Sequence, residues 1–411
     1  MRANQQPLSL HIPEPPARPG EAPDFSHIAV PPAGAMARPD IGTPASEMRD
    51  HVYGLIRVLS EDGKAVGPWD PKLSPEMLVR ALRAIALTRI YDDRMYRVQR
   101  QGKTSFYMKS LGEEAVAVGA ALALDDGDMC FPTYRQQGLL ITRGCSLVTM
   151  MNQVYSNAAD PLLGRQLPIM YSHPEYGFFS ISGNLATQYP QAVGWAMASA
   201  YAGDTRIAAA WIGEGSTAEN DFHSACTFAT VYRAPVILNV VNNQWAISSY
   251  SGIAGGDATT FAARALAYGL PGLRVDGNDL LAVYAATEWA AERARANLGP
   301  TLIELFTYRA EGHSTSDDPT RYRPAQEGQA WPLGDPLERL KQHLVTIGAW
   351  DDARHEAMIA ELTAQVRSAG REAEANGTLG TGPGPDPATM FDGIFRDIPP
   401  HIAEQKREAG F

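Results

Sequence analysis

The chain has 411 residues, 45% of them hydrophobic, enough for one large core or two modest ones. A net charge of −11 and a pI near 5.3 argue against a nucleic-acid partner, and no apolar run is long enough to span a membrane. Three cysteines, Cys130, Cys145 and Cys226, are too few and too scattered for a disulfide framework or a zinc site, and suit a reducing cytoplasm.

In chain order, residues 1–44 come first and contain ten prolines, which excludes an amphipathic transit helix. Leu8 to Ile12 is too short for a signal peptide, so an extended arm lying on a neighbouring subunit is expected, a disordered tail being the alternative. Ser74-Pro75 starts a strong helix that ends before Gly102. A second helix is read over Gly112–Leu124, a turn at Asp125–Asp128 and a short strand at Met129–Phe131. Ile207–Ile212 and Val236–Val241 read as buried strands, joined by a helix over Ala218–Tyr232 that holds Cys226 as core packing. Helices at Thr260–Tyr268 and Leu280–Ala296 then alternate with strands at Leu273–Val275 and Thr301–Tyr308. This alternation predicts an α/β fold, a mainly parallel sheet with helices on both faces. Residues 309–330 are polar and irregular, Asp335–His343 and Asp352–Ala375 are helical outside the core pattern, and Gly377–Pro387 reads as a linker. Three regions follow: the arm 1–44, an α/β domain 45–330, and a C-terminal helical region and tail 331–411.

The chemistry gathers where two strands end. Gly213-Glu214-Gly215 follows the first strand of the central unit and Asn242-Asn243 follows the second. In a parallel sheet both tips lie on one rim, where ligands bind. Glycines there admit a close backbone approach, and the helix start offers free N–H groups to an anion such as phosphate. Glu214 would repel a bare phosphate unless a cation lay between them. A hard divalent ion such as Mg²⁺ meets that need, with a Glu214 carboxylate oxygen, the Asn243 amide oxygen and the Trp245 carbonyl as ligands. A plain carboxylate at a helix start is the alternative for Glu214. Gly213-x-Gly215-x-x-Ala218 also fits a dinucleotide pattern, but the next strand tip carries Asn242 and Asn243 in place of the acid that holds a ribose. A P-loop ending at Gly102-Lys103-Thr104 fails because residue 97 is Arg, not Gly.

An acid in Gly-x-Gly followed 29 positions later (243 − 214) by the second of two asparagines resembles the signature of the thiamine-diphosphate-binding fold. The Glu at 214, where Asp is usual, resembles the alpha subunits of branched-chain 2-oxo acid dehydrogenases. So do Tyr107-Met108-x-x-x-Gly112-Glu113-Glu114, Tyr134-Arg135, Gly164-Arg165-Gln166-x-Pro168, the stretch from Leu185 to Gly194, and Gly312-His313-Ser314-Thr315-Ser316-Asp317-Asp318. The resemblance spans roughly Leu78 to Arg323.

It implies oxidative decarboxylation of a branched-chain 2-oxo acid on thiamine diphosphate and Mg²⁺, with transfer of the acyl group to lipoyl groups on the acyltransferase core of a larger complex, as in branched-chain amino acid catabolism. Pyruvate or acetoin dehydrogenase alpha subunits remain open as alternatives, as do a dinucleotide-binding oxidoreductase and a non-catalytic scaffold subunit. By the same resemblance Tyr134 and Arg135 hold the diphosphate, Gly183 and Leu185 the aminopyrimidine, and Gly213, Glu214, Gly215, Ser216 and Asn243 the diphosphate–metal end. His313 sits over the cofactor and moves protons. Asp317, Asp318, Arg321 and Tyr322 order its loop, whose serines resemble a regulatory phosphorylation loop. Ser182, Thr187 and Gln188 fall where relatives hold potassium, a hydrogen-bonded turn being the alternative. Val241 stands where relatives carry Arg, and no role is read for Glu113 or Glu114. The chain offers no evident glutamate for the pyrimidine nitrogen, so a beta subunit in an α₂β₂ heterotetramer is expected to supply it.

Overall fold

The computed structural model describes residues 9–411; residues 1–8 of the expected arm lie outside them. The elements are α1 (Arg49–Tyr53), α2 (Pro75–Arg100), α3 (Glu114–Ala123), β1 (Met129–Phe131), α4 (Gln137–Thr142), α5 (Leu147–Tyr155), α6 (Gln188–Tyr201), β2 (Ala208–Gly213), α7 (Asn220–Val231), β3 (Val236–Asn242), the short strands β4 (Trp245–Ala246) and β5 (Ser249–Tyr250), α8 (Arg264–Tyr268), β6 (Gly272–Asp276), α9 (Leu280–Arg295), β7 (Thr301–Phe306), α10 (Pro336–Thr346), α11 (Asp352–Ala375) and α12 (Pro400–Glu408). The main sheet has the order β1-β2-β3-β7-β6, and every pair in it is parallel.

Strand alternation divides the core between the two faces. Ala209, Trp211, Ile237, Ile303 and Leu305 join the cluster that includes α2, α3 and α9. Ala208, Ala210, Ile212, Leu238 and Leu302 join the cluster built on α6 and α7 through Val193, Ala196, Phe222 and Ala229. Helices therefore cover both faces, as the alternation predicts. Local chemistry sets their starts: Ser74 caps α2 through Met77 N, and Asp279 caps α9 through Leu281 N and Ala282 N.

Two helix starts move. The helix read from Ala218 begins at Asn220, because a 3-10 turn over Glu214–Ala218 and an extended Glu219 come first. The helix read from Thr260 begins at Arg264, because the Thr260 hydroxyl donates to the Val52 carbonyl and accepts from Ala263 N, which holds the preceding residues in a turn. α10 and α11 follow the last strand, outside the alternating pattern as expected, and still pack on the core. Leu337, Leu340, Leu344, Met358, Leu362 and Val366 are buried in the larger cluster.

Residues 25–39 of the arm pack on the core of their own chain. Phe25 meets Trp331 edge-on at 5.2 Å and Tyr308 at 5.9 Å. Arg57 Nη1 donates to the Pro31 carbonyl at 2.7 Å, and the indoles of Trp69 and Trp289 donate to the Ala37 and Pro39 carbonyls at 2.9 Å each. Its prolines leave few N–H groups to satisfy, and buried side-chain donors on the core capture its carbonyls. Limited chymotrypsin digestion of the chain without partners is therefore expected to spare Phe25, which packs against Tyr308 and Trp331, while cutting at the exposed Tyr201. Rapid cleavage after Phe25 that a partner suppresses would support the neighbouring-subunit reading.

Candidate active site

Parallel strands deliver their C-terminal ends to one rim, and a cavity of about 480 Å³ opens there. β1 runs into Thr133, Tyr134 and Arg135. β2 ends at Gly213 before Glu214, Gly215 and Ser216. β3 leads to Asn243, and β7 continues to Arg309 and His313. Gly183 and Leu185 enter from the loop before α6, and all of these residues line the cavity, as does Trp245. Every residue that the sequence assigns to the cofactor, the metal or catalysis thus reaches one place.

Register makes the two signature tips neighbours: Gly213 pairs with Val241, and Asn242 with Phe306. Asn242 is a turn-holder. Its Nδ2 donates to Glu304 at 2.8 Å, its Oδ1 accepts from Gln244 at 2.9 Å, and its carbonyl accepts from Thr307 N. Glu304 also accepts from Ala262 N at 2.8 Å, so this buried strand carboxylate is compensated. Gln244 turns the chain through a left-handed φ of 74° and brings Trp245 back across the tip.

Glu214 is only 1% exposed. Its Oε2 accepts from Asn243 N at 3.4 Å, whereas Oε1 meets no hydrogen-bond donor among the described residues. Burial pushes its carboxyl up to about 7. A buried carboxylate oxygen left without a donor beside a cavity is the environment a bound cation satisfies. Among the described residues there is no group of three His, Cys, Asp or Glu side chains able to hold a metal ion, but the expected set has a single carboxylate, an amide and a carbonyl. The Asn243 Oδ1 accepts from Trp245 N at 3.3 Å, and the Trp245 carbonyl accepts from Arg309 Nη1 at 2.8 Å. The glycines play different parts. A Cβ on Gly215 would come within 2.6 Å of the Ala246 Cβ. On Gly213 or Gly183 it would meet no atom within 4 Å, so both leave backbone bare to the cavity.

Arg135 is buried and its fork is engaged within the protein. Nη1 donates to the Lys109 carbonyl, and Nη2 to the His313 carbonyl at 2.7 Å and to His313 Nδ1 at 3.3 Å. The expected two-pronged grip on phosphate therefore competes with its hold on the His313 loop. Since a guanidinium only donates, His313 Nδ1 must accept, which places the imidazole proton on Nε2. Burial first, then the Arg135 and Arg309 charges, push the His313 pKa down to about 3, so the ring is neutral near physiological pH. Tyr134 stands edge-on to it at 5.8 Å.

Of the residues expected to order this loop, Asp317 accepts from His313 N at 2.6 Å and from Tyr322 OH at 2.6 Å, and Asp318 caps the turn at Pro319–Arg321 through Thr320 N. Arg321 makes no side-chain bond within the loop among the described residues. Arg323 does that work, donating to the Arg309 and Glu311 carbonyls at 2.7 and 2.8 Å. Around Ser182 the hydrogen-bonded turn is formed: Ser182 Oγ accepts from Asn184 N, and the Thr187 hydroxyl donates to the Asn184 carbonyl, each at 3.1 Å.

Sequence reading missed Arg309. It is 1% exposed, lines the cavity, and donates to the Trp245 and Ile247 carbonyls and to Tyr322 OH. It brings a guanidinium to the rim that Val241 leaves without one. The unexplained loss of a cation at 241 was the one available signal.

Two family models match the chain: one described as Dehydrogenase E1 component over residues 82–381, the other as 2-oxoisovalerate dehydrogenase E1 alpha subunit N terminal over residues 6–46. The chain is 60% identical over 408 residues to the 2-oxoisovalerate dehydrogenase subunit alpha of Pseudomonas aeruginosa, covering 99% of this chain and 100% of that one. It is 39% identical over 355 residues to the mitochondrial 2-oxoisovalerate dehydrogenase subunit alpha of Bos taurus (86% of this chain, 76% of that) and to that of Homo sapiens (86% and 78%).

Proposed function

This chain belongs to the dehydrogenase E1 component family, and from that premise we propose that it is the alpha half of a branched-chain 2-oxo acid dehydrogenase, decarboxylating 3-methyl-2-oxobutanoate and similar acids and passing the acyl group to a lipoyl arm. The observation that carries the reading is Glu214 Oε1, buried and without a donor, where the β2 and β3 tips meet the cavity.

Glu214, the Asn243 amide oxygen and the Trp245 carbonyl would hold Mg²⁺; the carbonyl has a second lone pair beyond its Arg309 bond. Backbone at Gly213, Gly215 and Ser216, with the charges of Arg135 and Arg309, would hold the diphosphate. Tyr134, Gly183 and Leu185 would flank the rings. Thiamine diphosphate, when bound, supplies an acidic thiazolium carbon and an electron sink for the pair left by departing CO₂. His313 offers its Nε2 proton to oxygen atoms of the substrate as charge develops on them. Phe106, Met108, Leu167 and Met170 form an apolar wall that suits a branched alkyl group.

Among the described residues Glu214 is the one carboxylate lining the cavity. With Glu214 on the cation, the carboxylate that must face the pyrimidine nitrogen falls to another chain, and a beta subunit in an α₂β₂ assembly meets that need. Leu185 and Ile247, each 57% exposed at the mouth, favour such a cover. The lipoyl-bearing core is the next partner. Three buried free cysteines suit a cytoplasmic setting.

The test is co-expression with the beta subunit, then assay on 3-methyl-2-oxobutanoate and pyruvate with and without thiamine diphosphate and Mg²⁺. Activity is expected only with both, with kcat/KM at least tenfold higher for the branched acid. Preference for pyruvate would move the assignment to a pyruvate dehydrogenase.

A further inference from the structure

Glu113 carries no role in the sequence pattern, yet it is 2% exposed behind the cavity wall. Its neighbour Glu114 shows what an ordinary structural carboxylate looks like here, bonded by Arg89 Nε at 2.8 Å and Gly112 N at 3.0 Å. Glu113 instead reaches two side chains of the site. Its Oε1 accepts from Asn243 Nδ2 at 2.8 Å and lies 3.7 Å from Arg135 Nε.

A carboxylate can only accept, so Asn243 must turn its NH₂ towards Glu113. That leaves Oδ1 at the other end of the amide, on the side of Trp245 N. Without that acceptor the cation itself would have to hold the amide oxygen-inward, at a cost in affinity. We propose that Glu113 is a positioning residue for the cation site: its acceptor oxygen sets the Asn243 carboxamide oxygen-inward, with Arg135 Nε 3.7 Å from the same oxygen. This rests on the preceding reading, in which Glu214 and Asn243 hold the cation.

The test uses the alpha chain co-expressed with its beta subunit. Mg²⁺ is titrated at saturating thiamine diphosphate, and binding is followed by calorimetry and tryptophan fluorescence rather than turnover. Glu113→Gln, whose own amide can turn either end towards Asn243 and so no longer fixes it, is expected to weaken Mg²⁺ binding by about 3–10-fold, and Glu113→Ala by about 10–100-fold. Asn243→Asp in the Glu113→Ala background should recover most of the loss, because a carboxylate presents oxygen whichever way it turns. A residue that merely supports the fold would lower the melting temperature without that rescue. Unchanged Mg²⁺ affinity in Glu113→Ala, or a loss that Asn243→Asp does not repair, overturns the proposal. If Glu113→Ala does not assemble, Glu113→Gln decides it, and wild-type affinity in that variant overturns it. If the wild-type assembly itself binds thiamine diphosphate without regard to Mg²⁺, the cation site falls, and the role of Glu113 with it.

Discussion

Glu214→Gln is expected to give a chain that is more stable than wild type in EDTA at pH 8 and that no longer gains stability from Mg²⁺ and thiamine diphosphate. Both effects have one cause. The wild-type carboxyl titrates at about 7 in the fold against 4.5 ordinarily, because burial disfavours its charge and Oε1 has no donor. Between those two values the folded state binds the extra proton, so this group's contribution to stability falls as pH rises and stays low above about 7. The penalty at pH 8 is roughly 1–3 kcal/mol. An uncharged amide removes it, so the variant's advantage should be clear at pH 8 and nearly gone at pH 5. Cofactor binding should show the opposite. A Gln lacks the anionic oxygen, and Mg²⁺-dependent affinity should fall by more than about 100-fold, since even groups that only orient metal ligands are worth 10–100-fold. Melting curves at the two pH values, with EDTA and with Mg²⁺ and thiamine diphosphate, check both. A variant that is destabilised in EDTA and still stabilised by the cofactor would reduce Glu214 to a helix-start carboxylate.

His313→Asn is expected to lower kcat by about 10²–10⁴-fold while leaving cofactor affinity within a few-fold. The Asn oxygen can replace Nδ1 as acceptor for Arg135, so the loop should stay in place. What disappears is the Nε2 proton that faces the cavity. The pH profile adds a second check. With burial and two guanidinium charges holding its pKa down to about 3, His313 is expected to stay neutral from pH 8 to pH 6, and wild type should show no acid limb from it in that range. Arg135→Met removes the nearer of the two cations that hold the value down, so the pKa of His313 should rise. An acid limb in kcat, absent from wild type, is then expected to enter from low pH. Rates of CO₂ release measured from pH 5 to 8 separate these cases. A wild-type acid limb near pH 6.5 that vanishes in His313→Asn would show that the histidine is charged in the working enzyme.

Much of this was legible in the chain. Apolar runs with glycine or asparagine at their ends marked β2 and β3, because strand burial and turn chemistry are local properties. Parallel pairing then required the two tips to share a rim. The residues assigned there from motifs, including Tyr134, Gly183, Trp245 and His313, all line the cavity. The small-residue stretch that becomes α6 was visible as a motif and not as a helix, because alanines and glycines carry little amphipathic contrast.

The sequence by itself determined which strands exist, which ends face the ligand rim and which residue types stand there, since these follow from neighbours a few positions apart. Only the tertiary structure decided that Arg309 reaches the rim, that Glu113 bonds the Asn243 amide, that residues 25–39 of the arm pack on their own core, and that burial beside Arg135 and Arg309 holds the His313 pKa down. Those four depend on burial and on charges brought close from distant parts of the chain. Glu113 and Asn243 are 130 residues apart in sequence and 2.8 Å apart in space, and a local pattern carries no record of such a meeting.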